Sequence, residues 1–342
     1  MTIRNARRIR PLEAVVLAAA LVFTVVSWIQ CSPRGSRGAG AGAGTGEAGG
    51  GAAPGESIEE GQAGSPAAPA VPAVPAAGAV RVAAVQMSSR FADPAANRDK
   101  MEKLAREAAR GGAKIVVFPE AAVQGYVSSQ FDIWTDPKRR PGEGKSLEGF
   151  AEPADGESAR RFGKLAGELK VHLLVPFIER EEKSGAVKYF NSLLLFGPDG
   201  GRLAHYRKIN PWPRAEATWA ADGDKGLAFV DTEYGRLGLL VCYDIHSVAQ
   251  KLAAEKVDTL LYSIAWVDFK PERWFGERLP AKAKDLGVNI VAANWTFPTD
   301  DRPEDRGYGF SRVIDKSGKI LAAAKAECGD EVVYADLPVG QH

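Results

Sequence analysis

Across 342 residues, 44 lysines and arginines nearly balance 43 aspartates and glutamates, leaving a net charge of +1. With no basic block outside the N-terminus, that balance argues against a nucleic-acid partner. Three cysteines (Cys31, Cys242, Cys328) make no disulfide framework. The histidines (His172, His205, His246, His342) lack ligand-type spacing and no CxxC occurs, so no metal site is indicated.

In chain order, residues 1–31 read as an export segment. Arg4, Arg7, Arg8 and Arg10 precede an uncharged, largely apolar run from Ala14 to Trp28. That run has the length of a signal-peptide core and is slightly short for a membrane span. Cys31 in WIQCS stands where bacterial lipoproteins are cut and acylated, which makes it the lipidation candidate, although Gln30 is larger than the small residue usual before such a cysteine. An uncleaved membrane anchor, an ordinary cleaved signal and a start set too far upstream are the alternatives. The expectation is an exported chain, periplasmic or at the cell surface, that touches membrane only through this segment. Residues 32–79 are rich in Gly, Ala and Pro and have almost no large side chains to bury, so they cannot offset their ordering entropy and read as a disordered tether. A Gly-rich coil of that length spans about 40 Å.

Residues 80–342 suffice for one α/β domain with a full core. VRVAAVQM (80–87) predicts a first strand. Asp93-Pro94 then opens a helix whose Met101, Leu104, Ala105 and Ala108 share a face, with Gly111-Gly112 ending it. KIVVFPE (114–120) predicts a short buried strand. Phe162, Leu165, Ala166 and Leu169 mark a second helix before the strand VHLLVPFIE (171–179). NSLLLFGPDGGRLAHYRK (191–208) reads as two strands joined at Pro198–Gly201. GRLGLLVCYD (235–244) is a further buried strand, followed by a helix over about 247–256 and the strand VDTLLYSIAW (257–266). VNIVAANW (288–295), a hairpin over 307–324 and EVVYADL (331–337) complete the pattern. Buried strands alternating with helices imply sheets covered by helices, and the hairpins make those sheets mixed.

Three polar residues end apolar strands: Glu120 in VVFPE, Lys208 in AHYRK and Cys242 in LLVCYD. Strand ends line the natural crevice of an α/β sheet. A thiol, a carboxylate and an ammonium together suit attack on a carbonyl or nitrile carbon. Sulfur is the nucleophile, the carboxylate carries the proton, and the ammonium holds the developing oxyanion. Asp244 or Ser247 can cap the helix after Cys242. A nearby helix N-terminus and Lys208 then predict a lowered thiol pKa, with the Tyr243 N–H as a second oxyanion donor. His246 invites a Cys–His dyad, but one turn past Cys242 its side chain need not face back. Trp266, Tyr126 and Phe310 are candidates to contact substrate, and Cys328 in AECGD is incidental.

FPEAAVQGY, YRKINPWP and GLLVCYDIH, in this order, resemble the three signature regions of the nitrilase, or carbon-nitrogen hydrolase, superfamily. The resemblance covers nearly all of 80–337. It implies a four-layer αββα sandwich and a Glu–Lys–Cys triad at Glu120, Lys208 and Cys242. It also implies a second glutamate after the lysine, for which Glu216 is the candidate, a homodimer formed through helical faces, and no metal or organic cofactor. The stretch from Cys242 to Asp268 is more narrowly similar to biotinidase and the vanin-type pantetheinases, and Lys208-Ile209-Asn210 fits their Lys-x-Asn step, which adds Asn210 to the substrate-binding candidates. The function so implied is a thiol-dependent amidase acting on a small-molecule, non-peptide amide, including pantetheine- or biotin-type secondary amides. The alternatives are a nitrilase or N-carbamoyl amidohydrolase, an acyltransferase, and a catalytically silent tethered scaffold.

Overall fold

The computed structural model describes residues 75, 77–126, 147–213, 216–266, 271–296, 309–325 and 329–339. The expectations for residues 1–31, for Cys31, for Cys328 and for nearly all of the tether lie outside them. Two six-stranded sheets form the body. In the first, β1 (Ala79–Gln86), β2 (Ile115–Val117) and β3 (His172–Lys183) run parallel, linked through α1 (Pro94–Arg110) and α2 (Glu157–Leu169). β4 (Ala186–Phe196) and β5 (Arg202–Arg207) extend one side antiparallel, and β12 (Glu331–Pro338) pairs antiparallel with β1 on the other. The second sheet repeats the scheme. Its parallel centre is β7 (Gly235–Val241), β8 (Thr259–Ile264) and β9 (Asn289–Asn294). β6 (Phe229–Thr232) flanks one side, and β10 (Arg312–Ile314) and β11 (Ile320–Ala323) the other. α3 (Val248–Ala254) links β7 to β8. α4 (Pro271–Arg273) runs through a π-helical turn, Trp274–Arg278, into α5 (Leu279–Leu286), which links β8 to β9.

Period-two alternation sorts the side chains of the first sheet. Val80, Val82 and Ala84 of β1 join Ile115, Val117 and Leu195 in the core shared with the second sheet and its helices. Ala83, Val85 and Met87 instead pack with Met101, Leu104 and Ala105 of α1 and Phe162 and Leu165 of α2. The layers are therefore helix, sheet, sheet, helix, as expected. Asp93 caps α1 through its carboxylate to the Ala96 N–H at 3.1 Å, with Pro94 as the first helical residue.

Some boundaries differ from the sequence reading. β3 and β4 run on into a hairpin turned at Ser184 and Gly185, both with positive φ. Its charged, exposed tip hides the strand from hydrophobic periodicity. The short β6, with half its residues exposed, is concealed in the same way. Among the described residues, no helix is long and apolar enough to cross a membrane.

Candidate active site

Three strand ends meet at the junction of the two sheets. β2 runs through Phe118-Pro119 to Glu120, whose N–H donates to the Ile264 carbonyl of the other sheet at 3.3 Å. Ala121 then turns the chain with a φ of 51°. β5 delivers Lys208, whose N–H donates to the Asn191 carbonyl of β4 at 2.8 Å and whose carbonyl accepts from Gly223 at 2.9 Å. Gly223 lies so close that any Cβ there would collide with the Arg207 carbonyl, so only glycine fits. β7 ends at Cys242, which opens a helical turn, Cys242–His246, with a φ of 35°. A left-handed cysteine costs about 1–3 kcal/mol and persists only where its surroundings hold it. Here the Tyr262 hydroxyl donates to its carbonyl at 2.9 Å.

The side chains converge in a buried charge cluster. The Lys208 ammonium donates to Glu120 Oε1 at 2.7 Å and to Glu216 Oε1 at 2.6 Å, and all three side chains are fully shielded from solvent. Glu216 begins a short 3-10 helix, Glu216–Thr218. Its Oε1 also accepts from the Tyr126 hydroxyl at 2.9 Å, and its Oε2 accepts from the Trp212 N–H at 3.0 Å. Tyr126 thus reaches the site through Glu216, with its ring edge-on to Trp295. Asn191 was not expected here. Its Nδ2 donates to Glu120 Oε1 at 2.7 Å. An asparagine inside the apolar strand YFNSLLLF was the signal available in the sequence.

Burial sets the proton affinities. It pushes Glu120 up to about 8; the Glu216 charge adds to the rise and the Lys208 ammonium opposes it. Burial alone would lower Lys208, but the carboxylates of Glu120 and Glu216 outweigh it and hold the ammonium charged. Burial and the Glu120 charge likewise hold the Cys242 thiol well above its ordinary range, more than Lys208 and the Ala265 N–H at the sulfur can reverse. The expected lowering of this thiol is therefore corrected: at rest it is neutral. It makes no hydrogen bond to Glu120, whose Oε2 is buried and without a partner.

Asp244 also differs from expectation. It does not cap α3, and neither does the Ser247 side chain. Its buried carboxylate instead accepts from the Tyr206 hydroxyl (2.7 Å), the Ile209 N–H (3.2 Å), the Asn210 N–H (2.8 Å) and Asn210 Nδ2 (2.8 Å). It ties the turn that carries Cys242 to the loop that carries Lys208. The Asn210 amide is engaged by Asp244 and, at 3.0 Å, by Ser247, so this side chain braces the loop. The Tyr243 N–H belongs to the first turn of its helix, where backbone donors have no intrahelical acceptor, while its ring is exposed. His246 packs against the rings of Tyr243, Trp266 and Trp274 and makes no hydrogen bond to Cys242. Trp266, which follows Ala265, stacks on Trp274 at 4.2 Å and 8°. Phe310 lies behind them, with a φ of 62°, stacked on Phe275. Among the described residues no group of side chains is arranged to hold a metal ion. The arrangement can deliver a buried sulfur to an electrophilic carbon, with a carboxylate to take its proton and an ammonium beside it.

Comparison with known proteins bears on the family and the fold. The sequence model described as Carbon-nitrogen hydrolase matches residues 81–341. Nitrilase 3 of Arabidopsis thaliana is 28% identical over 281 residues, which is 76% of this chain and 79% of the plant protein. Omega-amidase NIT2 of Homo sapiens is 30% identical over 243 residues, covering 68% of this chain and 79% of its own. The crystal structure of an amidase from Nesterenkonia sp. superposes with a TM-score of 0.62 at 24% identity, over 78% of this chain and 93% of that one, a likeness of fold.

Proposed function

This chain belongs to the carbon-nitrogen hydrolase family, and from that premise we propose that it hydrolyses a linear, non-peptide amide through a thioester on Cys242. Glu120 takes the Cys242 proton, and the sulfur adds to the amide carbonyl carbon. Lys208 and the Tyr243 N–H face the oxyanion, and each such donor contributes about 3–4 kcal/mol at the transition state. Glu120 returns the proton to the nitrogen, which leaves. Water, activated by Glu120, then releases the acid. Glu216 keeps Lys208 charged and fixes its position.

The observation that carries this reading is the Lys208 ammonium between Glu120 and Glu216 at 2.7 and 2.6 Å, beside a cysteine held on a strained turn. Support comes from the Nesterenkonia amidase, a mutant of which carries the acetamide moiety of fluoroacetamide on its active-site cysteine. Narrower readings divide by leaving group. A pantetheine- or biotin-type secondary amide releases an amine, a nitrile or primary amide releases ammonia, and an acyltransferase passes the thioester to an amine.

The test is a panel of pantetheine, biocytin, simple amides and nitriles, with the acyl adduct followed by intact mass. The expected result is an adduct on Cys242 and turnover lost in Cys242→Ala by a factor on the order of 10⁴ or more, with the fold retained by circular dichroism. Undiminished hydrolysis by Cys242→Ala rejects the mechanism. A silent scaffold is the reading left if no compound acylates the wild-type chain.

A further inference from the structure

The two sheets exchange partners where their parallel strands end. Trp295 still belongs to the β8–β9 ladder, since its N–H donates to the Ile264 carbonyl at 3.3 Å. It also bridges to Met87 of the other sheet, and the Thr296 N–H donates to the Met87 carbonyl at 3.3 Å. β9 therefore leaves β8 at this point. One more parallel rung would run from the Trp266 N–H to the Trp295 carbonyl. That carbonyl accepts instead from the Gly309 N–H at 2.8 Å. The fully buried side chain of Asn294 supplies what the ladder no longer does. Its Oδ1 accepts from the Trp266 N–H at 3.0 Å, and its Nδ2 donates to the Gly309 carbonyl at 2.6 Å. Turned over, the amide would set N–H against N–H and oxygen against oxygen, so its orientation is fixed.

The segment held in this way meets both reacting groups. The Ile264 carbonyl accepts from the Glu120 N–H at 3.3 Å. The Ala265 N–H lies at the Cys242 sulfur. The Trp266 carbonyl accepts from Trp295 Nε1 at 3.4 Å. We propose that Asn294 is a positioning residue of the reaction, whose side chain stands in for the missing rung and keeps residues 264–266 drawn up against Cys242 and Glu120. The proposal rests on the thioester reading and adds to it a residue that touches neither substrate nor sulfur. Without the Asn294 amide the Trp266 peptide loses its tie to β9. The Ala265 N–H then no longer faces the charge that forms on sulfur, and Cys242 gives up its proton less readily.

Alkylation tests this without knowledge of the substrate. The full chain is treated with 2-chloroacetamide, whose chloride the Cys242 sulfur displaces as the thiol proton passes to Glu120. Labelling at Cys242 is followed against pH by peptide mass mapping, in the wild type, Asn294→Ala and Ser311→Ala. Ser311 Oγ accepts from the Asn294 N–H at 2.9 Å and donates to the Asn294 carbonyl at 3.1 Å. Its loss therefore loosens the same strand end but leaves the bond to Trp266 in place. The charges that face the sulfur, on Glu120, Lys208 and Glu216, are the same in all three chains. Asn294→Ala is expected to label about tenfold more slowly at each pH, its curve displaced upward by about one pH unit, the scale of one hydrogen bond to a charged group. Ser311→Ala is expected to keep the wild-type curve. Labelling of Asn294→Ala at or above the wild-type rate overturns the inference. An equal loss in Ser311→Ala also overturns it, because the effect is then one of packing alone. Both of those outcomes leave the thioester reading standing. If Cys242 of the wild type stays unlabelled, that reading falls and this one with it. Should Asn294→Ala not fold, Asn294→Ser, whose hydroxyl is too short to reach the Trp266 N–H, is read in the same way.

Discussion

At the scale of single residues, the chemistry depends on where one proton rests. The thiol of Cys242 is held neutral and burial lifts Glu120 to about 8, so the thiol needs a base and Glu120 must give up its own proton before it can serve as one. If Glu120 is the base, kcat/KM rises with pH through about 8 with a one-proton slope, and a rate profile flat down to pH 6 contradicts that role. The same shift has a stability consequence. The folded chain binds the Glu120 proton more tightly than the unfolded chain, so the stability this group adds is complete below the usual carboxylate range and is lost as pH rises through about 8. Glu120→Gln carries no such loss. The Tm difference, variant minus wild type, is expected to grow more positive from pH 6 to pH 9, as scanning calorimetry can check. Glu120, Lys208 and Cys242 were legible in the sequence because each is a polar residue where an apolar pattern stops, and Glu216 only through the family resemblance. The direction of the thiol shift was not legible. It depends on how completely two sheets enclose the sulfur, and no local pattern states that.

At the scale of elements, two braces hold the strand ends. Asp244 joins the Cys242 turn to the Lys208 loop through four hydrogen bonds. Asp244→Ala removes the acceptor for all of them, so the ammonium and the sulfur lose their common frame. Kinetics should show kcat falling about 10²-fold, the scale of a 1 Å misplacement, with KM little changed. An unaltered kcat would leave Asp244 a purely local brace. Beneath β5, Glu179 accepts from Ser192, from His205 and from Nε and Nη2 of Arg207, at 2.6 to 3.1 Å. Burial alone would raise this carboxyl, but the bonds from His205, Arg207 and Ser192 bring it down to about 2. Its contribution to stability is therefore present above the usual carboxylate range and lost as pH falls toward 2. Arg207 keeps Glu181 at 2.7 Å and Asp224 at 2.9 Å when Glu179 is removed, so in urea denaturation at pH 7 Glu179→Ala should cost less than the loss of about 3–5 kcal/mol from a stranded buried charge, and less again at pH 3. Neither brace could be read from the sequence. Asp244 looks like a helix cap because it stands two residues into a turn, and only the approach of β5 makes it a bridge. The parallel strands were legible for the opposite reason: β1, β2, β7, β8 and β9 are buried on both faces and read as continuous apolar runs.

For the whole molecule, sheets covered by helices follow from alternation of strand and helix and the two-sheet sandwich from the family resemblance, while strand order and the meeting of the sheets emerge only in three dimensions. We propose that the segment before residue 75 exports the domain and tethers it to a membrane. A chain begun at residue 75 should then keep its amidase activity and a Tm within about 3 °C of the full chain, and one begun at residue 88, lacking β1, should not fold. The closing strands carry a mechanical consequence. β1 lies between β12 and β2, and the Val339 N–H donates to the Gly78 carbonyl at 2.8 Å. A pull through the N-terminal tether therefore acts along the axis of an inner strand, loading its ladders on both sides in shear at once instead of peeling them apart rung by rung. Resistance to such traction is set by the unfolding barrier and not by equilibrium stability, so a domain anchored by this end can withstand drag that would unzip one suspended from an outermost hairpin.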